Sequence, residues 1–292
     1  MKKVNTLLAV LLSIGLFFQS CETSELELID NPNALTDGDA NFFLNRIQTD
    51  YLSAQFRLND RSSELTRIDY MFGRNYFNNY GAGTLNIPWS DLYSDILPDL
   101  QAIENLESET LNLGFHRGVG KILQAHLMMQ LVDFIGNIVP MDQAGDPINI
   151  PTPEPYSDAG AAAYASADAI LDEAIALLAG DPSTVGVQDL FYAADASKWI
   201  KLANTLKMRA AVTTSNWATF DALVSAGNFI SSTADDFEFA FGTQLAPVNT
   251  QHQDYLNDYT SSGANIYQNN WLLQLMRENN DPRIRYYFYR QT

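Results

Sequence analysis

The chain is poor in cysteine, in basic residues and in long apolar runs, and each shortage excludes a class of protein. Its 292 residues contain one cysteine, Cys21, so no disulfide can form within the chain. Lysine and arginine total 17 against 35 acidic residues, and the net charge of −18 provides no basic field for binding nucleic acid. After the N-terminal segment no apolar run reaches about 18 residues, the length that a membrane-spanning helix requires.

Period-two alternation of apolar and polar residues is also missing, which argues against a β-sheet protein. The three histidines, His116, His126 and His252, lack metal-ligand spacing. We therefore expect neither a metal nor a cofactor.

The single cysteine directly follows a targeting segment. Lys2 and Lys3 give a positive start, Leu7 to Phe18 form a short apolar stretch, and Gln19 and Ser20 precede the cysteine. This layout is typical of a secretory signal peptide over residues 1–20. A cysteine at the cleavage point predicts a bacterial lipoprotein in which Cys21 becomes the lipidated first residue; an ordinary signal peptide with an incidental cysteine is the alternative. Residues 21–39 are then an acidic tether, and residues 40–292 a folded domain.

The periodicity of the apolar residues predicts a mostly helical chain. A first helix is expected from about Ala40 to Asn59, with Phe43, Ile47, Leu52 and Phe56 facing inward. Residues 60–87 read as irregular and aromatic. A helix opening at Pro88 should be kinked at Pro98, because proline removes one backbone hydrogen bond and clashes with the preceding turn.

Further helices follow at Arg117–Ile135, around 163–177, after Asp195, and at about 217–226. The helix at 117–135 is apolar nearly all round, with a thin polar stripe of His126, Gln130 and Asp133, so it belongs in the middle of a bundle. Trp89, Tyr93 and Trp199 lie at helical spacing on apolar faces and are predicted to be core residues. The four prolines between 147 and 155 predict a surface connection.

Four segments in order resemble one protein family. They are AHLMMQLVDFIGNIVP (125–140), the helix from Tyr164 to Leu178, DLFYAADASKWIKLANTLKMRAA (189–211) and Asn-Asp-Pro-Arg-Ile at 280–284. Together they resemble the SusD/RagB nutrient-binding outer-membrane lipoproteins, and in particular a second, SusD-like branch. Members usually continue well past the Asp-Pro-Arg element, whereas this chain ends nine residues after it, so we expect it to be truncated at the C-terminus.

The resemblance implies an all-α fold, a SusD-like α/α superhelix of tetratricopeptide-like helix pairs with a loop-rich ligand face. It also implies a non-enzymatic function, the capture of glycans or other nutrients at the cell surface beside a SusC-like TonB-dependent transporter. The acidic tether resembles the export signal of surface lipoproteins in Bacteroidota. The expected location is therefore the outer membrane, lipid-anchored and facing outward.

Sugar binding requires flat aromatic rings beside amide or guanidinium groups. Two segments of the chain supply both, and each is equally compatible with an ordinary packed loop. The candidate ligand residues are Tyr70, Arg74, Asn75, Tyr76, Asn78 and Tyr80 in the first segment, and Tyr259 and Tyr267 in the second.

Two other classes of function stay open at the level of sequence. A surface glycoside hydrolase needs only two carboxylates roughly 5 to 9.5 Å apart, and a chain so rich in acidic residues can satisfy that by chance. A helical-repeat adaptor for peptides or proteins would need no small-molecule site.

Overall fold

The fold was analysed in a computed structural model of the chain. The structure describes residues 39–71, 75–77, 79–136, 138, 159–246, 250–259 and 266–288. The chain divides into two units, Met1–Gly38 and Asp39–Thr292, and the description that follows concerns the second. Its helices are α1 (Ala40–Leu65), α2 (Asn86–Ser90), α3 (Leu97–Leu106), α4 (Gly114–Ile135), α5 (Ala159–Leu178), α6 (Ala196–Thr213), α7 (Trp217–Ala226), α8 (Gln253–Tyr259), α9 (Asn270–Glu278) and α10 (Ile284–Tyr287).

The fold is all-α, as the sequence predicts. No strand occurs in the described ranges, where β structure consists of two isolated antiparallel bridges, Asp69 with Gln268 and Ser108 with Leu111. Within the same ranges, no helix combines the length and the apolar character needed to cross a membrane. Consecutive helices pack against one another, α4 with α5 and α6 with α7, while α1 packs on α3 and α4. Whether these pairs follow tetratricopeptide geometry stays a prediction.

Helix α4 lies at the centre of the core. Residues all round it are buried, including Val119, Ile122, Leu127 and Leu131 at 0% exposure, which confirms the prediction of a central helix. Gly136 ends it in the left-handed conformation with φ of 78°, as expected for a glycine C-cap. Burying a Leu or Ile side chain contributes about 1.5–3 kcal/mol, so the many buried side chains of α4 stabilise the fold strongly.

Helix α1 is longer than predicted, and its buried face is rotated from the predicted one. Asp39 caps its start by accepting from the Asn41 N–H at 2.9 Å. The buried stripe is Leu44, Ile47, Tyr51, Ala54 and Leu58. The inward placement of Leu52 and Phe56 was therefore wrong: both are only partly buried and line a groove outside the core, because the i, i+3, i+4 series that begins at Leu44 passes beside them.

The distortion expected at Pro98 takes the form of a π-helical stretch. Residues Asp91–Ile96 form π-helix between α2 and α3, and the Leu97 N–H donates to the carbonyl of Leu92, five residues back. This longer spacing accommodates a proline that has no N–H of its own and whose ring crowds the preceding turn.

The aromatic side chains predicted to be in the core divide into two groups. Trp199 is completely buried, as predicted. Trp89 is 37% exposed, so its assignment to the core was wrong. Tyr93, whose ring centroid lies 4.5 Å from that of Trp89, is partly buried and packs against the core.

Candidate functional site

A short antiparallel contact joins the two segments that carry the candidate ligand residues. The Tyr70 N–H donates to the Tyr267 carbonyl at 2.7 Å, and the Asn269 N–H donates to the Ile68 carbonyl at 2.9 Å. Tyr70 and Tyr267 are consequently directly opposite each other, in register with the bridge between Asp69 and Gln268. Opposite residues of an antiparallel pair point to the same face, with Cβ atoms about 4.5–5.5 Å apart.

Tyr70 and Tyr267, which we call the tyrosine pair, are each 51% exposed. Rings half open to solvent, on one face of a backbone contact, form a surface on which an apolar sugar face can stack. The structure thus brings together two candidate residues that lie almost 200 positions apart in the chain.

A groove of about 500 Å³ lies beside the tyrosine pair. Its walls include Ile68, Gln268, Met276 and the Asp-Pro-Arg element of the sequence. Within that element Asp281 accepts from Arg283, with Nη2 to Oδ2 at 2.6 Å, and this pairing lowers the pKa of Asp281 to about 2. The element therefore forms a closed local ion pair at the edge of the groove.

Tyr76 lies on a tight turn with its ring covered on one side. The Arg67 guanidinium carbon is 5.4 Å from the Tyr76 ring centroid, within range of a cation–π contact. Asn75 accepts from the Phe77 N–H at 3.1 Å, and Phe77 is 98% exposed. Tyr76 therefore presents one ring face outward, while the Asn75 side chain is used to hold the turn.

Tyr80 is attached to helix α1. Its hydroxyl donates to Glu64 Oε2 at 2.8 Å, and burial together with this carboxylate raises the pKa of Tyr80 to about 12. The ring lines a mainly apolar groove of about 390 Å³ with Leu65, Leu85 and Phe134. The Tyr80 hydroxyl is thus engaged within the protein, and its ring is the part that can contact a ligand.

The remaining predicted site residues, Cys21, Arg74 and Asn78, lie outside the described residues, as do the prolines at 147–155. Tyr259 ends helix α8, and its side chain also lies outside the description. Their assignments stay predictions.

The segment beginning at Asp189 has a structural role. The Asp189 carboxylate accepts from the N–H groups of Phe191 at 2.9 Å and Ala194 at 2.9 Å, and from the Trp199 indole at 2.7 Å. These bonds hold Ala193 and Ala194 at φ of 52° and 65°, a backbone region that residues other than glycine rarely adopt. One carboxylate therefore fixes the turn and anchors helix α6 in the core.

The polar stripe of α4 is hydrogen-bonded to neighbouring helices, although Asp133 itself is exposed. Tyr51 Oη lies 2.7 Å from His126 Nδ1, and Tyr164 donates to Asp133 at 2.6 Å. Burial lowers the pKa of His126 to about 3, so this imidazole is neutral. Among the described residues no three His, Cys, Asp or Glu side chains are grouped so as to hold a metal.

A groove that no sequence pattern indicates lies along the partly buried side of α1. It measures about 770 Å³ and is lined by Phe56 and Arg57 from α1 and by Phe241 and His252 from a later segment. The segments meet only in the folded chain, and Phe241 and His252 belong to no amphipathic repeat. The one sequence signal was Phe56 itself, an aromatic residue beside the core stripe.

Comparison with known proteins gives consistent matches. The second SusD-like family model, described as "Starch-binding associating with outer membrane", matches residues 32–292. A SusD/RagB family protein of Bacteroides thetaiotaomicron has a TM-score of 0.66 at 22% identity, over 84% of this chain and 53% of its own. A SusD-like protein of the same species has a TM-score of 0.60 at 23% identity, over 84% and 52%.

A structure named as a chitin-binding protein has a TM-score of 0.62 at 22% identity, over 85% of this chain and 54% of its own. At these identities the solved structures establish a shared fold, and the chain spans about half their length. None of the curated proteins matches it.

The family model covers the bundle from before α1 to the end of the chain. It includes the Asp189 turn, which fixes α6, and the Asp-Pro-Arg element beside the tyrosine pair. The helical fold agrees with the solved structures of that family. The chain belongs to the SusD-like family, whose description is starch binding in association with the outer membrane.

Proposed function

We propose that the protein captures glycans or related nutrients at the outer membrane and passes them, unaltered, to a SusC-like TonB-dependent transporter. Family membership supports binding and the outer-membrane setting. The name of the chitin-binding neighbour adds a second neutral polysaccharide to the ligands worth testing. Because the chain spans about half of the solved structures, ligand and partner are proposed for the whole protein.

The observation that carries the proposal is the tyrosine pair. A sugar ring has apolar C–H faces and a rim of hydroxyls, so it needs an exposed aromatic surface with polar groups nearby. Tyr70 and Tyr267 supply two half-exposed rings from opposite positions of one backbone contact. Tyr76, backed by Arg67, supplies a third outward face on the following turn.

Binding is tested by affinity electrophoresis of the full chain in gels containing starch, chitin fragments or other neutral polysaccharides. Tyr70→Ala and Tyr267→Ala should each weaken retention about tenfold, a loss of about 1.4 kcal/mol, because stacking area is removed. Tyr→Phe at either position keeps the ring and should retain most of the binding.

Trp217→Ala is the matched control, since Trp217 is a 56% exposed aromatic on α7 that lines none of the grooves described above. If both alanine variants are retarded as strongly as the wild-type protein, the tyrosine pair is excluded as the binding site. Release of new reducing ends from any of these polysaccharides would show that the protein hydrolyses them and would contradict the proposed binding function.

The membrane attachment is proposed to run through Cys21. Each buried acyl methylene contributes about 0.8 kcal/mol, and several chains on one head group make attachment effectively permanent. Cys21→Ser should therefore move the protein from the membrane fraction to the soluble fraction and abolish incorporation of labelled fatty acid. Persistent acyl label in that variant would contradict the assignment of the anchor.

A further inference from the structure

We propose that the groove along α1 is a second binding site, one that takes a single neutral pyranose ring or a short oligosaccharide. We call it the α1 groove and define it by Phe56, Arg57, Asn59, Asp60, Phe241 and His252. The inference rests on the proposed function only for the class of ligand. Its geometry is separate from the tyrosine pair.

The floor of the α1 groove is a helical stripe outside the core. Asn59 and Asp60 lie three and four residues after Phe56, so all three share one side of α1 beside the buried stripe. The Arg57 guanidinium carbon lies 5.6 Å from the Phe56 ring centroid. This side of the helix therefore offers a flat apolar ring bordered by groups that bond hydroxyls.

The opposite wall is held in place by its own hydrogen bonds. The Gly242 N–H donates to the Thr250 carbonyl at 2.9 Å, and the Thr250 N–H donates to the Gln244 carbonyl at 3.2 Å. A Cβ on Gly242 would lie 2.1 Å from Thr250 Oγ1, so only glycine permits this approach. The fold-back sets Phe241 beside His252, with ring centroids 4.6 Å apart at 75°.

The aromatic rings meet across the groove. His252 also faces Phe56, with centroids 6.4 Å apart at 68°, so the imidazole lies between the two phenyl rings. Phe241 nevertheless remains 45% exposed, which leaves an apolar ring surface open to solvent inside a polar rim. A cavity of about 770 Å³ is within the range of small-molecule sites.

The bonding of His252 determines what its ring offers to a ligand. The Asp254 N–H donates to His252 Nδ1 at 3.1 Å, so in the neutral ring the proton lies on Nε2. Nε2–H is then a donor. The rim contains both an arginine and carboxylates, so no single charge sign dominates it. This mixture of donors and acceptors around phenyl rings favours a neutral polyhydroxylated ring over an anion or a cation.

The α1 groove lies close to the tyrosine pair along the chain. Ile266 lines the groove, and the next residue is Tyr267. A glycan stacked on the tyrosine pair has a further ring surface here, and the rings of the groove itself offer a short sugar a place to stack alone. Its contribution can therefore be separated experimentally from that of the tyrosines.

The test is an NMR titration of the full chain with maltose, cellobiose and chitobiose, following the His252 ring protons. Loss of one signal in His252→Gln assigns the resonance, since the protein has three histidines. At least one disaccharide should shift this signal saturably. Phe241→Ala should weaken that binding about tenfold or more. Phe42→Ala, a 41% exposed phenylalanine on the same helix, is the matched control and should change it by less than about twofold.

The outcomes separate the α1 groove from the proposed function. If a disaccharide shifts His252 in wild type and in Tyr70→Ala/Tyr267→Ala, but not in Phe241→Ala, the groove is an independent site even where polysaccharide retention fails. If polysaccharide is retained through the tyrosine pair while no disaccharide moves the His252 signal, the groove is not a sugar site. Equal disaccharide affinities of Phe241→Ala and wild type would also contradict the assignment of the α1 groove as a sugar site.

Discussion

Two buried aspartates show how single residues in this protein carry an electrostatic cost. Asp91 and Asp99 are 8% and 4% exposed. Burial raises the pKa of each to about 6, with the carboxylates of Asp50 and Asp95 adding to the effect. Arg46, whose Nη1 lies 3.2 Å from Asp99 Oδ1, offsets this only in part. The charged forms of both aspartates therefore destabilise the fold.

This cost predicts how stability depends on pH. An unfolded aspartate titrates near pH 3.9, so between about pH 4 and 6 the folded chain holds protons that the unfolded chain has lost. The contribution of Asp91 and Asp99 to the free energy of unfolding therefore falls as pH rises through that window. Asp99→Asn mimics the protonated side chain and should flatten the fall, as measured by urea midpoints at both ends of the window.

Asp195 provides a control of opposite sign. Its carboxylate caps α6 by accepting from the Ser197 N–H at 2.9 Å, and the Ser197 bonds lower its pKa. Its contribution is present at neutral pH and is lost on acidification. The contribution of Asp195 changes mainly below about pH 4, so Asp195→Asn should reduce the loss of stability there and leave the fall between about pH 4 and 6 nearly unchanged. Identical pH slopes for wild type and Asp99→Asn would contradict the assigned cause.

At the scale of elements, helix α4 depends on small residues for close packing. Arg117 and Lys121 bind Glu104 and Glu173 from neighbouring helices, with N–O distances of 3.1 to 3.4 Å. Between these cations, Gly118 faces α5. Residues 118–121 of α4 therefore serve helix packing and a partly buried ion-pair network.

Gly118→Ala should destabilise the protein. The added Cβ would lie 2.7 Å from Leu178 Cγ and 3.3 Å from the Ala174 carbonyl oxygen, so α4 and α5 would have to separate. Overpacking costs about 1–3 kcal/mol, which exceeds the gain of up to about 1 kcal/mol from helix propensity. Thermal or urea unfolding measures the difference.

Gly160→Ala, in α5, is the matched control, because its Cβ would meet only ordinary contacts at 3.5 Å or more. It should be neutral or slightly stabilising. Equal stability of the two variants would show that the interface between α4 and α5 accommodates an extra methyl group without loss of stability.

At the scale of the whole molecule, charge limits the ligands. The net charge of −18 repels polyanions at distances up to about the Debye length, roughly 10 Å at 0.1 M salt. The tyrosine pair and the α1 groove offer stacking and hydrogen bonds, which salt screens little. The proposed ligands are therefore neutral.

Neutral polysaccharides should be retained equally in low and high salt, while uronic-acid or sulfated polymers should not be retained in low salt. Affinity electrophoresis at two ionic strengths tests both statements. Retention of a polyanion that disappears on adding salt would reveal a basic site and would exclude the neutral-ligand proposal.

The sequence determined the helical class, the central position of α4 and the family. These follow from local periodicity, backbone stereochemistry and motifs that lie within one element. Which face of α1 is buried could not be predicted from the sequence. Two overlapping apolar stripes run along this helix, and only packing against α3 and α4 selects the one that leaves Phe56 partly exposed.

The tertiary structure alone decided which distant residues meet. The backbone contact that sets Tyr70 opposite Tyr267, and the approach of His252 to Phe56 on α1, each join segments from different parts of the chain. Periodicity carries no information about such pairings, because it reports only which side of an element avoids water. The binding surfaces therefore arise from long-range contacts, whereas the scaffold that supports them is encoded locally.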